Sequence, residues 1–400
     1  MRLRYWALAV VLIALSGCAS NADVAGNSTP TRNLDVVAEP NLGATTHFKV
    51  IYAFTGGSDG SQPWSDVVLD SSGNLYGTTY FGGAANDGVV FRLDASGTES
   101  VIHSFRGPDG QNPVGNLIRD AAGNLYGTTS LGGAHNYGVL FKIDTNGIET
   151  VLHSFHGDDG TYPSRELYRD LSGDLFGTTI HGGRHGCGVV FEFTTAGHFV
   201  VMHSFNPAIE GCVPATNLVR DAAGDFFGTT NTTGVLGSGS FFKLKPNGSI
   251  SVIHAFAGDA TDGGSPEGEI VQDDNGAMFG TTLYGGASGN GTVYEISASG
   301  NERTLWSFDG NDGSQPIGGV FRDSAGDVYG TTSSGGLYRS RGVLFELEHK
   351  MGESVLFNFG VGDGYSPSSS LTMDSSKNVY GTANLGGFHG HGVVFEYTHS

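Results

Sequence analysis

Short apolar runs rich in β-branched and aromatic residues recur along the chain from Lys49 onward, separated by clusters of Gly, Pro, Asn and Asp. One unit shows the pattern as NLIRD (116–120), NLYGTT (124–129), GVLFKID (138–144) and ETVLHSF (149–155), which we label strands A, B, C and D. Runs of this composition, bounded by turn residues, predict four short β-strands per unit. The 66 glycines stand at fixed places beside the runs and therefore indicate turns, not disorder.

The unit is repeated seven times at a spacing of about 50 residues, which is typical of an array of supersecondary units. Strand B carries Gly-Thr-Thr, or Gly-Thr-Ala in the last unit, beginning at Gly77, Gly127, Gly177, Gly228, Gly280, Gly330 and Gly381. An aspartate begins the turn between strands A and B at Asp70, Asp120, Asp170, Asp221, Asp273, Asp323 and Asp374. Aspartate at this position predicts a tight hairpin, because its side chain caps the backbone of the turn.

Seven units of four antiparallel strands predict an all-β fold, a seven-bladed β-propeller over residues 47–400. The first repeat-like run, KVIYAF (49–54), has the strand D pattern, and the last, GVVFEYTHS (392–400), has the strand C pattern. The N-terminal strand is therefore predicted to complete the last blade and to cover its open edge. An open β-solenoid is the alternative architecture, but it would need no such exchange of strands.

The N-terminal segment carries a signal for export. Residues 1–17 combine two arginines with an apolar run that is short for a membrane span, and they predict a signal peptide. The residues Leu-Ser-Gly-Cys that end at Cys18 resemble a lipobox, so Cys18 is predicted to be lipidated. Residues 18–46 then form a flexible linker, and the protein attaches through lipid to the bacterial cell envelope, at the outer membrane. An ordinary cleaved signal peptide is the alternative.

The charge narrows the range of partners. With 40 acidic against 20 basic residues, a nucleic-acid partner is disfavoured. We expect a monomer, with carbohydrate or a surface protein as the partner besides the membrane.

The pattern VLHSFxGxDGxxPxxxLxxDxxGNLYGTTxxGGxxxxGVVF, clearest in residues 101–141 and 151–191, resembles the GloVer tandem repeat of choice-of-anchor proteins. The resemblance covers about 350 residues and implies an exported, anchored repeat protein. It implies no reaction. The fourth unit departs from the pattern because it lacks the Gly-Gly pair, and the seventh because its motif ends in Ala383.

Candidate ligand residues occur in the loops from strand D to A and from B to C, which a four-stranded meander places on one face. Each D-to-A loop contains an acid followed by Gly, and this ring could bind a cation such as Ca²⁺ or a hydroxyl-rich ligand. The favoured interpretation is repeated turn chemistry, because seven carboxylates in a ring are spread apart. Three non-repeating histidines join the predicted ligand set, which is Asp59, Asp109, Asp159, Asp262, Asp312, Asp363, His135, His389 and His391.

No catalytic, metal or cofactor motif stands out. The weak catalytic candidates are His181, Arg184, His185 and Tyr137, which could remove a proton beside a uronate carboxylate. Solvated loop residues are the favoured interpretation of this group. His103, His153, His203 and His254 share one position of strand D with other aromatic residues, which indicates packing.

Cys187 and Cys212 are the two cysteines left after Cys18, and both fall on the loop face. In an exported protein they predict a disulfide. The sequence as a whole favours a binding or interaction scaffold with its ligand on that face. The alternatives are a carbohydrate-active enzyme, either a polysaccharide lyase or a glycosidase, and a structural envelope protein without a small ligand.

Overall fold

The computed structural model describes residues 47–214, 216–348 and 352–398, and these residues form 32 β-strands. Within these ranges, no helix is long and apolar enough to cross a membrane. The predicted signal peptide, the lipidated Cys18 and the linker lie outside the described residues and remain predictions.

The strands form seven antiparallel sheets arranged as the predicted seven-bladed propeller, with the order A-B-C-D in each sheet. Blade 1 consists of β2 (Val68–Leu69), β3 (Leu75–Thr79), β4 (Val89–Leu93) and β5 (Glu99–Ser104). Blade 2 consists of β6 (Gln111–Pro113), β7 (Ile118–Arg119), β8 (Leu125–Leu131), β9 (Val139–Ile143) and β10 (Glu149–Ser154). Blade 3 consists of β11 (Thr161–Arg169), β12 (Leu175–His181), β13 (Val189–Phe193) and β14 (Phe199–Ser204). Blade 4 consists of β15 (Val219–Arg220), β16 (Phe226–Thr230), β17 (Ser240–Leu244) and β18 (Ile250–Ala255).

Blade 5 includes a small extra ladder between β19 (Gly263–Gly264) and β22 (Tyr284–Gly285). Its main sheet consists of β20 (Val271–Gln272), β21 (Met278–Thr282), β23 (Thr292–Ile296) and β24 (Glu302–Ser307). Blade 6 consists of β25 (Val320–Arg322), β26 (Val328–Thr332), β27 (Val343–Glu348) and β28 (Gly352–Asn358). Blade 7 consists of β29 (Tyr365–Pro367), β30 (Thr372–Met373), β31 (Val379–Leu385), β32 (Val393–Tyr397) and β1 (Phe48–Ala53).

The two ends of the chain close the ring as predicted. β1 pairs antiparallel with β32, with Phe48 opposite Tyr397, and supplies the missing outer strand of blade 7. The inner side is closed as well, because Thr382 Oγ1 of blade 7 donates a hydrogen bond of 3.0 Å to the Ser65 carbonyl of blade 1. Closure removes sheet edges that could pair with another chain.

The Gly-Thr-Thr motif has a packing reason. Gly77 lies opposite Phe91 of the neighbouring strand, and a Cβ at Gly77 would be 2.6 Å from Phe91 Cζ, so only glycine leaves room for the ring. In six of the seven blades, the first threonine of the motif donates a hydrogen bond to the next blade. For example, Thr128 Oγ1 donates to the Ser164 carbonyl of the next blade at 3.0 Å. The motif therefore serves both the packing inside a blade and the contact between blades.

The hairpin aspartates act as predicted. Asp70 Oδ1 accepts hydrogen bonds from the backbone N–H groups of Ser72 and Asn74, each at 2.9 Å. Burial opposes ionisation, but these bonds and those from the Asn74 amide and the Tyr76 hydroxyl lower the pKa of Asp70 to about 2.

The predicted disulfide is confirmed, since Cys187 and Cys212 are bonded. Cys187 lies in the B-to-C loop of blade 3, and Cys212 lies in the loop that leads into blade 4. The bond therefore links the irregular fourth unit to its neighbour.

Candidate binding site in the central channel

The strongest candidate site lies where strand A of each blade begins, at the inner end of the sheet. The third residue after the repeated proline lies at this inner end in every blade, and we call these seven positions the channel ring. Its members are Asp66, Asn116, Glu166, Asn217, Glu269, Gly319 and Ser370. Convergence is visible from contacts between blades that are not neighbours: the Asn116 amide of blade 2 donates to Glu269 Oε1 of blade 5.

The channel ring varies while its surroundings repeat. The flanking proline and the apolar residue that follows recur in every unit, but the ring itself contains acids, amides, a glycine and a serine. Side chains that vary on a regular scaffold are typical of a grafted ligand site. This variation is the signal by which the sequence could have revealed the channel ring, whereas the predicted ligand residues lie in the D-to-A and B-to-C loops.

Three carboxyl groups of the ring lie together. Glu269 is hydrogen-bonded to both Glu166 and Asp66, and the Asn116 amide donates to Asp66 Oδ2 at 2.8 Å. Burial and the mutual charges raise the pKa values of Asp66 and Glu269 well above their ordinary range. Burial, followed by the charge of Asp66, raises the pKa of Glu166 to about 8. Glu166 therefore retains its proton near neutral pH, and the cluster can both donate and accept hydrogen bonds.

One cation accompanies these acids. Arg165 Nη1 donates to the Ser368 carbonyl across the channel at 3.3 Å, and the guanidinium lies 5.5 Å from the centre of the Trp64 ring. This contact holds the indole at the channel wall by a cation–π interaction. The nearby Glu267 is a fourth acid, with its pKa raised by burial and lowered in part by the charge of Arg165.

Aromatic and amide groups surround the acids on the side of the D-to-A loops. Trp64 and Tyr80 have ring centres 6.0 Å apart, and burial raises the pKa of Tyr80. The Asn231 amide donates to Glu267 Oε1 at 3.0 Å, and Tyr284 lies close enough for the Glu267 charge to affect its pKa, which burial raises first. The site thus combines ring faces with groups that form hydrogen bonds, as small-molecule sites do.

Several buried polar atoms near these groups lack hydrogen-bond partners within the described residues. They are Asn231 Oδ1, Asn384 Oδ1 and Ser368 Oγ, in residues that are 2%, 2% and 3% exposed. Asn231 faces Glu267, and the Ser368 carbonyl accepts from Arg165, so two of them adjoin the acid cluster. Buried polar atoms normally find a partner, so these atoms indicate places where a ligand can form hydrogen bonds.

The predicted acidic ring of the D-to-A loops has a structural role in most blades. In five of the six named loops, the carboxylate accepts a hydrogen bond from the fifth residue of strand D, as His103 to Asp109 shows at 3.2 Å. The same contact joins Tyr52 to Asp59, His153 to Asp159, His254 to Asp262 and Trp306 to Asp312. Asp363 occupies the corresponding place in the last D-to-A loop. These bonds fasten the loop to the strand, and a ligand for the ring stays a prediction.

The predicted histidines are distributed over separate loops. His135 is exposed in blade 2, with its ring centre 6.2 Å from that of His156. His389 is exposed beside Phe388, whereas His391 Nδ1 lies 3.0 Å from Ser61 Oγ. His391 therefore joins blade 7 to the loop that enters blade 1.

The four weak catalytic candidates are placed differently from one another. His181 is half-buried against Tyr162, with ring centres 6.1 Å apart, and burial lowers its pKa. Arg184, His185 and Tyr137 are exposed in the B-to-C loops of blades 3 and 2. His181 is thus the one of the four that packs toward the inner part of the propeller, and the role of the group stays a prediction.

Comparison with known proteins agrees with the repeat and the fold. The family model described as the Gloeobacter/Verrucomicrobia repeat matches residues 39–221, 96–285 and 213–400. No curated protein sequence shows a significant match.

Solved structures with a similar fold are found at low sequence identity. One is the extracellular domain of a protein described as a hybrid two-component system of B. thetaiotaomicron, with a TM-score of 0.57 and 14% identity over 88% of this chain and 41% of that one. A second such domain from the same organism gives a TM-score of 0.60 and 11% identity, over 88% of this chain and 40% of that one. This chain therefore spans less than half the length of these structures, and the likeness concerns the fold.

Proposed function

This chain belongs to the Gloeobacter/Verrucomicrobia repeat family, and from its channel we propose that it is an extracytoplasmic binding propeller for a hydroxyl-rich ligand. The ligand enters the central channel from the face of the D-to-A and B-to-C loops. The observation that carries this proposal is the convergence of Asp66, Glu166 and Glu269 from three blades at positions that vary in an otherwise regular array.

The chemistry of the channel favours neutral or amino sugars. Carboxyl groups and amides form hydrogen bonds with hydroxyl groups, and the faces of Trp64 and Tyr80 suit the apolar face of a sugar ring. An ammonium group beside these carboxyl groups favours their ionised form and pairs with it, whereas a uronate carboxylate meets one cation, Arg165, among groups whose pKa values are raised. This balance argues against acidic polysaccharides as the ligand.

The spacing of the acids favours binding over glycoside hydrolysis. The carboxyl groups of Glu269 and Glu166 are hydrogen-bonded to each other. The two carboxyl groups of a glycosidase stand about 5 Å or more apart, because the sugar and the attacking group must fit between them. We therefore rank the enzyme behind the scaffold, and the structural envelope protein without a ligand third.

The test is a glycan array followed by calorimetry on the purified mature chain. We expect saturable binding of an amino or neutral sugar without products, weakened about tenfold or more in Glu269→Gln and Trp64→Ala. The exposed pair Arg184→Ala and His185→Ala serves as the matched control and should bind like the wild type. Turnover that His185→Ala abolishes would instead support the lyase, and no binding to any glycan would leave a structural role.

Export and anchoring form the second part of the proposal. The disulfide between Cys187 and Cys212 suits an oxidising compartment, and the similar solved structures are extracellular domains. We propose that Cys18 carries the lipid that holds the propeller at the outer membrane. Metabolic labelling with a fatty acid should mark the wild type but not Cys18→Ser, and equal labelling of both would refute the anchor.

A further inference from the structure

A second cluster of ligating side chains lies away from the channel, between the outer strands of blades 4 and 5. It contains His254 of β18, Asp262 of the following loop, and Glu302, the first residue of β24. One ligand atom from each of the three lies within 4.8 Å of the other two. His254 Nε2 and Asp262 Oδ2 are 3.2 Å apart.

The repeat shows what is unusual about this junction. Each blade junction combines the residue two places before the phenylalanine of the VLHSF pattern in one strand D with the residue six places before that phenylalanine in the next strand D. The seven pairs are Tyr52/Glu99, His103/Glu149, His153/Phe199, His203/Ile250, His254/Glu302, Trp306/Glu353 and Phe357/Phe48.

Two of these pairs are plain ring stacks. His153 stacks on Phe199 and Phe357 stacks on Phe48, each with ring centres 3.8 Å apart. A stack fills the junction without any ion.

Histidine, aspartate and glutamate occur together at two junctions only, those of His254 and His103. Of these two, only the His254 group brings its ligand atoms within 4.8 Å of one another in the described part of the chain. The His103 junction contains the same residue types and is therefore a natural internal control.

The surroundings of the cluster orient its ligands. The Ala257 N–H donates to Asp262 Oδ2 at 2.8 Å, and Thr304 Oγ1 donates to Glu302 Oε1 at 3.2 Å. Asp262 is 8% exposed, and its Oδ1 has no hydrogen-bond partner among the described residues. Two carboxylates beside each other with an unused buried oxygen call for a positive charge between them.

We propose that His254, Asp262 and Glu302 bind one divalent transition-metal ion of the Zn²⁺ type. One imidazole nitrogen and two carboxylates suit Zn²⁺, whereas Ca²⁺ and Mg²⁺ prefer sites made of oxygen alone. His254 and Glu302 are partly exposed, so solvent completes the coordination. The ion would join blades 4 and 5 where other junctions use an apolar stack.

The test uses the tag-free mature chain, titrated with Co²⁺ in the visible range and with Zn²⁺ by calorimetry. We expect saturable Zn²⁺ binding and Co²⁺ absorption bands that show coordination by the protein. His254→Tyr and Glu302→Ile, which introduce residues found at equivalent junctions, should weaken binding at least about tenfold. Glu302→Gln keeps the shape of the side chain and should behave like Glu302→Ile.

Two controls make the result decisive. His103→Tyr changes the junction with the same residue types, and His153→Tyr changes a junction without a glutamate, so both should bind Zn²⁺ like the wild type. Zn²⁺ should raise the melting temperature of the wild type but not of Glu302→Gln. No saturable binding in the wild type, or equal binding in His254→Tyr and the wild type, would overturn the proposal. Glycan binding is measured separately, so the absence of Zn²⁺ binding would not contradict the proposal for the channel.

Discussion

The glutamates that begin strand D in several blades predict an unusual dependence of stability on pH. Burial, and then the charge of a neighbouring aspartate, raises the pKa values of Glu99, Glu149 and Glu353 to about 7. The facing charges are Asp59 for the first, Asp109 for the second, and Asp312 with Asp309 for the third. In each glutamate, Oε1 is buried without a hydrogen-bond partner among the described residues.

The direction of the effect follows from proton linkage. The ordinary glutamate pKa is 4.5, so between that pH and about 7 the folded chain binds protons that the unfolded chain has released. The stability from these groups is complete below pH 4.5 and is lost as the pH rises through 7. A pKa rise of this size corresponds to at most about 3.4 kcal/mol per group. Because the side chains are partly exposed, solvent screening reduces this to about 1 kcal/mol each, or about 3 kcal/mol together.

The assay is urea denaturation of the wild type and of the triple variant Glu99→Gln, Glu149→Gln and Glu353→Gln, at pH 5 and pH 8. The raised pKa values of the channel acids also lower the stability of the protein as the pH rises, and they do so equally in the wild type and in the variant. The difference between the two proteins therefore isolates the junction glutamates. The variant should match the wild type at pH 5 and be more stable by about 3 kcal/mol at pH 8. An equal fall in the urea midpoint of both proteins between these pH values would refute the reasoning.

Three further changes test the repeat itself. Asp120→Ala removes the acceptor for two backbone N–H groups of its hairpin and should cost about 1–2 kcal/mol, measured as a lower melting temperature; an unchanged melting temperature would contradict the cap. Reduction of the Cys187–Cys212 bond should lower the free energy of unfolding by about 3.5 kcal/mol in urea, compared with the double serine variant as control. Gly127→Ala would place a Cβ 2.7 Å from Phe141 Cζ and should cost about 1–3 kcal/mol in the same assay. An unchanged free energy of unfolding in Gly127→Ala would mean that the Phe141 side chain can move aside.

Much of the fold could be predicted because each unit carries its own local signals. These signals are the hairpin aspartate such as Asp120, the repeated Gly-Thr-Thr, and the strand D pattern of residues 49–54. Each is visible within a few residues, and together they predicted the number of blades and the closure of the ring. The disulfide was also predictable, since Cys187 and Cys212 stand in loops that a four-stranded meander places on one face.

The reason for the repeated glycine was less accessible. The sequence shows that a glycine recurs at this place in strand B, but not which residue it packs against. The structure shows that Gly77 makes room for Phe91 of its own sheet, and that the first threonine of the motif makes the contact between blades in six of the seven blades. Register across a sheet decides this, and a single strand does not reveal its partner.

The contact between the channel acids could not be predicted for a related reason. Asp66, Glu166 and Glu269 are separated by 100 residues or more. Their variation between otherwise regular units hints at a site, but it does not show that these three residues meet. Their carboxyl groups meet only because seven blades close around one axis and bring the start of every strand A to the centre. Local sequence signals thus determine the turns, the strands and the number of units. The contact between the acids across the axis, and the raised pKa values that result from it, depend on closure of the ring.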